Sequence, residues 1–297
     1  MSGLRTTLLT LSLSKGRPEL VEGFIVSLLA VPGLELWWLG QSGFRARAVD
    51  GGPTIYLDPF LAARDDRSWQ APITPADLAS GDLVLCSHEH GDHFDRPSLK
   101  AAASAAGSRF SLVLPRPLAD TAIAELGLPS ERVIGAQPGE AIERDGVRIE
   151  PTPACHGVHV SDAYNFGEQL SNGLTRYLGY VVELGGVRIY HAGDCIPYPE
   201  QVDTVKALRP NLALLPINGR DFYRETERNL VGNMDFREAA RLANDIGAEV
   251  LVPMHWELFA HNRGYPGDLV TYVANTFPQL SVLVLGRGAR FTYITTT

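Results

Sequence analysis

Short runs of alternating apolar and polar residues begin at Leu34 and are separated by glycines. The segments LELWWLG, FRARAV and TIYLD each have the pattern of a half-buried strand, because apolar side chains recur at about every second position. From Leu83 the pattern changes, and strand patterns are followed by helical stretches. The chain is therefore predicted to open with a β-meander and to continue with mixed strands and helices.

The remaining predicted elements divide into two halves of similar plan. Strands are predicted at residues 83–86, 112–114, 147–153, 177–184, 187–191, 211–215 and 249–253, and helices at 97–106, 121–126 and 235–246. Gly185 and Gly186 indicate a hairpin between two of these strands. Strands followed by mixed strands and helices, twice over, favour an α+β fold in which two sheets pack face to face with helices outside.

The two halves are predicted to share one domain, residues 33–297, because no flexible linker or low-complexity tract separates them. Residues 1–32 are predicted to be an N-terminal extension outside this core. Within that segment, residues 11–23 resemble peptides translated from dispersed repeat elements.

Composition and charge exclude several classes of function. Of 297 residues, 45% are hydrophobic and 20% are charged, as in ordinary soluble domains. The net charge of -8 without a dense basic run argues against nucleic acid as a partner. An odd count of three cysteines suits a reducing compartment, so a cytoplasmic location is expected. The sequence has no apolar run of about 18 residues, so no membrane span is expected.

The densest group of chemically active residues follows the predicted strand at 83–86. His88, His90, Asp92 and His93 lie within six residues, where one loop can turn all four side chains inward. Imidazole and carboxylate are ligands for zinc, manganese and iron, and one small loop can hardly direct all four of these groups to a single tetrahedral ion. Two adjacent divalent ions are therefore inferred, against the alternative of a solvated polar loop.

This H-x-H-x-D-H spacing resembles the signature of the metallo-β-lactamase superfamily, whose fold is a four-layer αββα sandwich. The segments WLGQSGF, LDPF, HAGD, LLPINGRD, GNMDFREAARLA and PMHWELF are similar to the L-ascorbate-6-phosphate lactonase family. The resemblance extends from residue 34 to the C terminus. Because the core is shorter than those enzymes, the resemblance implies the metal centre and leaves the substrate open.

The resemblance also implies a complete set of ligands, since later loops supply the remaining residues in the family's order. The first ion would be held by His88, His90 and His156, the second by Asp92, His93 and His255, and Asp194 would bridge them. Zinc or manganese is expected, with iron disfavoured. A hydroxide held between the two ions would be a strong nucleophile near neutral pH, and Asp92 would orient it or accept its proton.

Five further residues are candidates around this centre, each with a plainer alternative. Asp58 and His191 would support the ligands from behind, although a turn aspartate and a hydrogen-bonded core histidine are the alternatives. Asn218 and Arg220 would contact the substrate, and a structural salt bridge is the alternative for Arg220. Trp256 could line the pocket or only pack in the core.

The sequence therefore predicts a binuclear hydrolase of the lactonase-like type that acts on a small anionic ester, lactone or phosphoester. A phosphodiesterase or nuclease-like enzyme, a di-iron redox protein and an inactive metal-binding scaffold remain alternatives. The redox alternative is disfavoured because its branch typically has glutamate where this chain has His90. A small anionic molecule is the expected partner, and a homo-oligomer is left open.

Overall fold

The computed structural model describes residues 32–157, 173–219, 222–227 and 232–295, apart from the side chains of Tyr223 and Glu225. Residues 1–31, which make up almost all of the predicted extension, lie outside the described residues, as does Arg220. All described residues fall within one compact unit, Val31–Thr297.

Within the described residues the first sheet has seven strands in the order β14-β1-β2-β3-β4-β5-β6. Its strands are β1 (Gly33–Gly40), β2 (Gly43–Ala48), β3 (Thr54–Leu57), β4 (Leu83–Leu85), β5 (Ser111–Pro115), β6 (Val133–Ala136) and β14 (Arg290–Ile294). The first three form the predicted antiparallel meander, and β3 to β6 are parallel. β14 returns from the end of the chain to pair antiparallel with β1.

The second sheet also has seven strands among the described residues, in the order β13-β12-β11-β10-β9-β8-β7. They are β7 (Ile142–Arg144), β8 (Val147–Pro153), β9 (Leu178–Leu184), β10 (Val187–His191), β11 (Leu212–Pro216), β12 (Val250–Met254) and β13 (Ser281–Val282). β9 and β10 form the hairpin predicted at Gly185 and Gly186, where both glycines have positive φ. β10 to β13 are parallel.

Of the seven α-helices of the described residues, all except α5 pack on the outer faces of the two sheets. They are α1 (Pro75–Ala79), α2 (Arg96–Ser104), α3 (Ala119–Leu126), α4 (Gln201–Ala207), α5 (Phe222–Glu227), α6 (Phe236–Asp245) and α7 (Pro266–Thr276). Asp235 caps α6, because its side chain accepts hydrogen bonds from the backbone N–H groups of Arg237 and Glu238. None of the described helices has the length and apolar character of a membrane span.

Three apolar clusters hold these layers together. Alternate residues of both sheets, such as Leu36 of β1 and Val182 of β9, form the central cluster between the sheets. A second cluster joins the outer face of the first sheet to α1, α2 and α3, and a third joins the second sheet to α4, α6 and α7. The order of layers is helix, sheet, sheet, helix, and the predicted α+β sandwich is confirmed.

Candidate metal centre

Four loops bring the seven predicted ligands to one edge of the sandwich. The loop after β4 carries the H-x-H-x-D-H motif, and the loops after β8, β10 and β12 carry His156, Asp194 and His255. In the second sheet β8, β10 and β12 run in the same direction, so their carboxyl ends lie at the same edge. Both sheets therefore contribute side chains to a crevice beyond their strand ends.

Three histidines form the first group that could hold a metal. Nδ1 of His90 lies 2.9 Å from Nε2 of His88 and 3.2 Å from Nε2 of His156. Burial lowers the pKa of all three rings, and that of His156 falls to about 4. The rings are therefore neutral near pH 7, which is the form that donates a lone pair to a metal.

Asp92, His93 and His255 form a second group with different electrostatics. Oδ2 of Asp92 lies 3.3 Å from Nε2 of His255 and 3.7 Å from Nε2 of His93. Burial opposes protonation of both rings, but neighbouring carboxylates outweigh it, Asp194 most strongly. They raise the pKa of His93 well above its usual range and that of His255 to about 10. The buried carboxylates therefore stabilise positive charge in this group, either on the protonated rings or on a metal cation.

Asp194 lies between the two groups. Its Oδ2 is 3.4 Å from Nε2 of His156 and 3.3 Å from Nε2 of His255, and its Oδ1 is 3.2 Å from Nε2 of His93. Burial would raise the pKa of Asp194, but the surrounding histidines, His255 first, hold it well below the usual value. An ionised carboxylate in this position can reach an ion in either group.

Two buried atoms of this cluster lack hydrogen-bond partners, which is the arrangement expected of side chains that bind a metal ion. Although Nε2 of His93 and Oδ1 of Asp194 are close, neither completes a hydrogen bond with any described residue. Buried polar atoms without partners are uncommon, because each costs roughly 1–3 kcal/mol. A cation between them would satisfy both, so the donor set fits the metal chemistry expected from the sequence.

Asp58 and Ser87 orient two of the histidines from behind. Asp58 directly follows β3, and its Oδ2 accepts a hydrogen bond of 2.6 Å from Nδ1 of His93 and another of 2.6 Å from Oγ of Ser87. The Ser87 hydroxyl in turn lies 2.9 Å from Nδ1 of His88. Because Nδ1 is used in both rings, Nε2 of His88 and of His93 points towards the cluster. The role of Ser87 was not recognised in the sequence.

His191 fixes the backbone near Asp194. Its Nε2 donates to the carbonyl of Ser42 at 2.8 Å, and its Nδ1 accepts from the N–H of Gly193 at 3.2 Å. The ring is buried, and burial lowers its pKa. His191 therefore links the β1–β2 turn to the loop that carries Asp194.

A cavity of about 260 Å³ opens over the two groups of side chains. Asn218 lines it, and its Nδ2 donates to Oδ1 of Asn262 at 2.8 Å. Trp256 is absent from the described residues that line the cavity, because its ring stacks on Trp38 between the sheets at 5.4 Å. Trp256 therefore packs in the core, which was the alternative to a place in the pocket wall. Arg220 lies outside the described residues, so its role stays a prediction.

Among the described residues, the outer wall of the cavity consists of residues other than the predicted substrate contacts Asn218, Arg220 and Trp256. It combines aromatic rings with cationic and amide groups, namely Phe60, Arg64, Arg224, Phe259, His261 and Asn262. Arg224 lies in α5, and the other five come from two loops far apart in the chain, between β3 and α1 and between β12 and α7. The N–H of Ser68 donates to the carbonyl of Leu258 at 3.0 Å and ties the two loops together. A chemical motif in one loop cannot reveal such a wall.

Comparison with known families agrees with this architecture. The family described as "Beta-lactamase superfamily domain" matches residues 53–256. A UPF0173 metal-dependent hydrolase of Nitratidesulfovibrio vulgaris is 32% identical over 228 residues, which cover 75% of this chain and 80% of the relative. One from Korarchaeum cryptofilum is 25% identical over 254 residues, which cover 86% and 97%.

Solved structures share the fold at lower sequence identity. Igni18, a metallo hydrolase from Ignicoccus hospitalis, superposes with a TM-score of 0.66 at 23% identity and covers 89% of this chain and 100% of its own. The metallo-beta-lactamase fold protein YhfI from Bacillus subtilis gives 0.63 at 16%, with coverage of 89% and 100%. With the fold and the sequence matches together, the chain belongs to the UPF0173 metal-dependent hydrolases of the beta-lactamase superfamily and is a metal-dependent hydrolase.

Proposed function

We propose that this hydrolase uses two divalent metal ions to cleave a small anionic ester, lactone or phosphoester. His88, His90 and His156 would hold one ion, Asp92, His93 and His255 the other, with Asp194 shared between them. The observation that carries this proposal is the position of Asp194, whose carboxylate lies within 3.2–3.4 Å of ring nitrogens from both groups.

Two such ions, when bound, acidify a water molecule and polarise an oxygen of the substrate. Zinc and manganese suit the mixed histidine and carboxylate donors better than magnesium or calcium, which prefer oxygen. Iron would fit the same donors but is disfavoured for hydrolysis, because His90 stands where the redox branch typically has glutamate.

Asp92 is the residue of this set that can also move a proton. Its side chain is 21% exposed, against 6% for Asp194, and it lines the cavity. Burial would raise the pKa of Asp92, but His93 and His255 lower it strongly, so the carboxylate is ionised at neutral pH. An ionised oxygen at the cavity surface can accept a proton from the attacking water.

The cavity wall supports an anionic substrate with an apolar part. Arg64 and Arg224 contribute two guanidinium groups to the lining, and Phe60 and Phe259 contribute rings whose centroids are 6.5 Å apart. Asn218 would bind a polar group of the substrate, and Arg220 would add a third cation. The lactonase-like assignment rests on the sequence segments similar to the ascorbate-phosphate enzymes, with the substrate itself left open.

The three cysteines agree with the cytoplasmic location that we propose. Cys86, Cys155 and Cys195 are all buried thiols. Burial raises the pKa of Cys86 well above the usual range and that of Cys195 to about 12, so both are inert thiols. Their positions call for no disulfide, which suits a reducing compartment.

Metal analysis and a substrate panel test the proposal together. Purified protein should contain two transition-metal ions per chain, and after chelation either zinc or manganese should restore hydrolysis of at least one anionic lactone or phosphomonoester. Absence of bound metal, or of hydrolysis across the panel with each metal restored, would contradict it. Cleavage of phosphodiesters but not lactones would support the phosphodiesterase alternative instead.

The Asp92→Asn variant tests the residue that we place at the reacting atoms. Asparagine keeps the shape of the side chain but cannot accept the proton, so turnover should fall by at least about a hundredfold. The control is Asp65→Asn, which changes an exposed aspartate. Near-normal turnover of Asp92→Asn with both ions bound would remove Asp92 from this role.

A further inference from the structure

Gln41 contacts two of the proposed ligands of the second ion. It follows β1, and its side-chain amide nitrogen lies 2.9 Å from Oδ2 of Asp92 and 2.9 Å from Nε2 of His255. These two ligand atoms are themselves 3.3 Å apart. The buried amide therefore completes a triangle with both of them.

The dimensions of this triangle match the edges of a coordination sphere. Ligand atoms about 2.1 Å from one ion are about 3.0 Å apart at right angles and about 3.4 Å apart at the tetrahedral angle. The distances from the Gln41 amide fit the first value, and the distance between Asp92 and His255 lies between the two. The amide group thus lies where a further ligand of the second ion would lie.

The amide can present its oxygen at this point by a half turn about its last side-chain bond. Oδ2 of Asp92 favours an N–H group opposite it, but a bound cation would repel that group and attract the carbonyl oxygen. Glutamine carbonyl oxygens are established ligands of hard divalent ions. We propose that Gln41 is a ligand of the second metal ion through Oε1, an inference that rests on the binuclear centre proposed above.

Three hydrogen bonds fix the backbone of Gln41. Its N–H donates to Oε1 of Glu257 at 3.0 Å, and its carbonyl accepts from the N–H of His255 at 3.0 Å and from Nε1 of Trp38 at 3.1 Å. Gln41 has φ of 50° and His255 has φ of 57°, so two left-handed residues are joined directly. Strained backbone that is fixed in this way is typical of functional sites.

The consequence for metal choice follows from the added oxygen. The first group offers three imidazole nitrogens, whereas the second would have a carboxylate oxygen, an amide oxygen and two imidazoles in addition to Asp194. Oxygen ligands and a higher coordination number favour manganese over zinc. The second ion should therefore bind manganese better, relative to zinc, than the first ion does.

Two substitutions of Gln41 separate a ligand from a hydrogen-bond donor. Gln41→Met keeps the length of the side chain and removes the oxygen, so the dissociation constant of the second ion should rise by roughly tenfold or more while that of the first is unchanged. Gln41→Glu keeps the oxygen and adds charge, so the second ion should bind more tightly. Gln70→Met, at an exposed glutamine, is the matched control.

The first readout is the metal content of the protein after equilibrium dialysis against zinc or manganese. The second is the visible absorption of the cobalt-substituted protein, because the intensity of cobalt absorption rises when the ion loses a ligand. Unchanged affinity and spectrum in Gln41→Met would overturn the inference. Weaker binding in Gln41→Glu would also overturn it, because a donor to Asp92 would have been replaced by a repelling carboxylate. Failure of the unaltered protein to bind two ions would instead contradict the binuclear centre itself.

Discussion

Asp58 combines an unusual backbone conformation with a set of strong hydrogen bonds. Its φ is 41°, and its carboxylate accepts from Nδ1 of His93, from Oγ of Ser87 and, at 2.7 Å, from the N–H of Ser87. Asparagine tolerates left-handed backbone well, so Asp58→Asn changes the charge and leaves the turn intact. The sequence predicted this support from the position of Asp58 at a strand end.

The first prediction concerns this substitution. Asp58→Asn should weaken metal binding by about 10–100-fold, because the orientation of His93 and its basicity both depend on the carboxylate. It should also lower the free energy of unfolding by about 1–3 kcal/mol. Equilibrium dialysis and urea unfolding measure the two effects. Asp120→Asn, an exposed substitution, should change neither, and equal metal affinities for both variants would contradict the proposed role.

The second prediction concerns pH in protein stripped of metal by a chelator. The pKa of His156 is about 4 in the folded chain, below its usual 6.5. Between these values the unfolded chain binds more protons, so stability rises with pH and is lost as pH falls from 6.5 to 4. His156 accounts for up to about 3 kcal/mol of this loss, since one pKa unit corresponds to about 1.4 kcal/mol.

Urea unfolding between pH 4 and pH 7 measures this dependence. His156→Gln should flatten it, because the variant no longer binds that proton in the unfolded state. His261→Gln removes an exposed histidine and should leave it unchanged. Identical pH profiles for His156→Gln and the unaltered protein would show that burial of His156 does not control acid stability.

At the scale of elements, the turn between β1 and β2 depends on Gly40. This residue has φ of 96°, and a Cβ there would lie 1.6 Å from Cη2 of Trp69. Trp69 itself packs beneath the guanidinium groups of Arg67 and Arg287. The turn is therefore pressed against the loop that leads from β3 to α1, next to Gln41.

The third prediction uses a second glycine to separate strain from crowding. Gly52 has a similar φ of 106°, but nothing lies within 4 Å of a Cβ there. Gly52→Ala should cost about 1 kcal/mol through backbone strain, whereas Gly40→Ala should cost about 3 kcal/mol or more because a clash is added. The midpoints of urea unfolding compare the stabilities of the two variants. Equal losses of unfolding free energy would mean that Trp69 moves aside at no cost in Gly40→Ala.

Local patterns predicted the elements that carry the site but missed several others. The meander of β1 to β3, the β9–β10 hairpin and the capped start of α6 all have short-range signals in alternation, paired glycines and Asp235. The elements that were not predicted are β6, β7, β13, β14, α1, α4, α5 and α7. All of them except α7 are short segments that offer little periodicity. These elements are stabilised by packing against the two sheets, and such contacts between distant segments leave no local pattern in the sequence.

At the scale of the molecule, the features that could not be predicted are contacts between segments distant in the sequence. The order of ligands along the chain and the sandwich architecture followed from motifs and resemblance. The pairing of β14 with β1 and the contacts of Gln41 with Asp92 and His255 join segments far apart in sequence. No local pattern specifies such contacts, so neither the pairing of β14 nor the contacts of Gln41 could be predicted from the sequence.

The fourth prediction concerns metal and global stability. The proposed ligands come from loops of both sheets, so ions that bind only the folded chain should stabilise the whole sandwich. An ion at a hundred times its dissociation constant contributes about 2.7 kcal/mol, or roughly 5–10 °C in Tm for a domain of this size. Chelation should lower Tm accordingly, and added zinc or manganese should restore it. A Tm insensitive to chelation would contradict this coupling.

The spread of these ligands along the chain has a consequence for biosynthesis. The motif at His88 to His93 leaves the ribosome first, His156 and Asp194 follow, and His255 emerges after all the other proposed ligands. A nascent chain can therefore present a few histidines to passing ions without offering a finished site. The proposed site can therefore be completed only when β12, which precedes His255, has joined the second sheet.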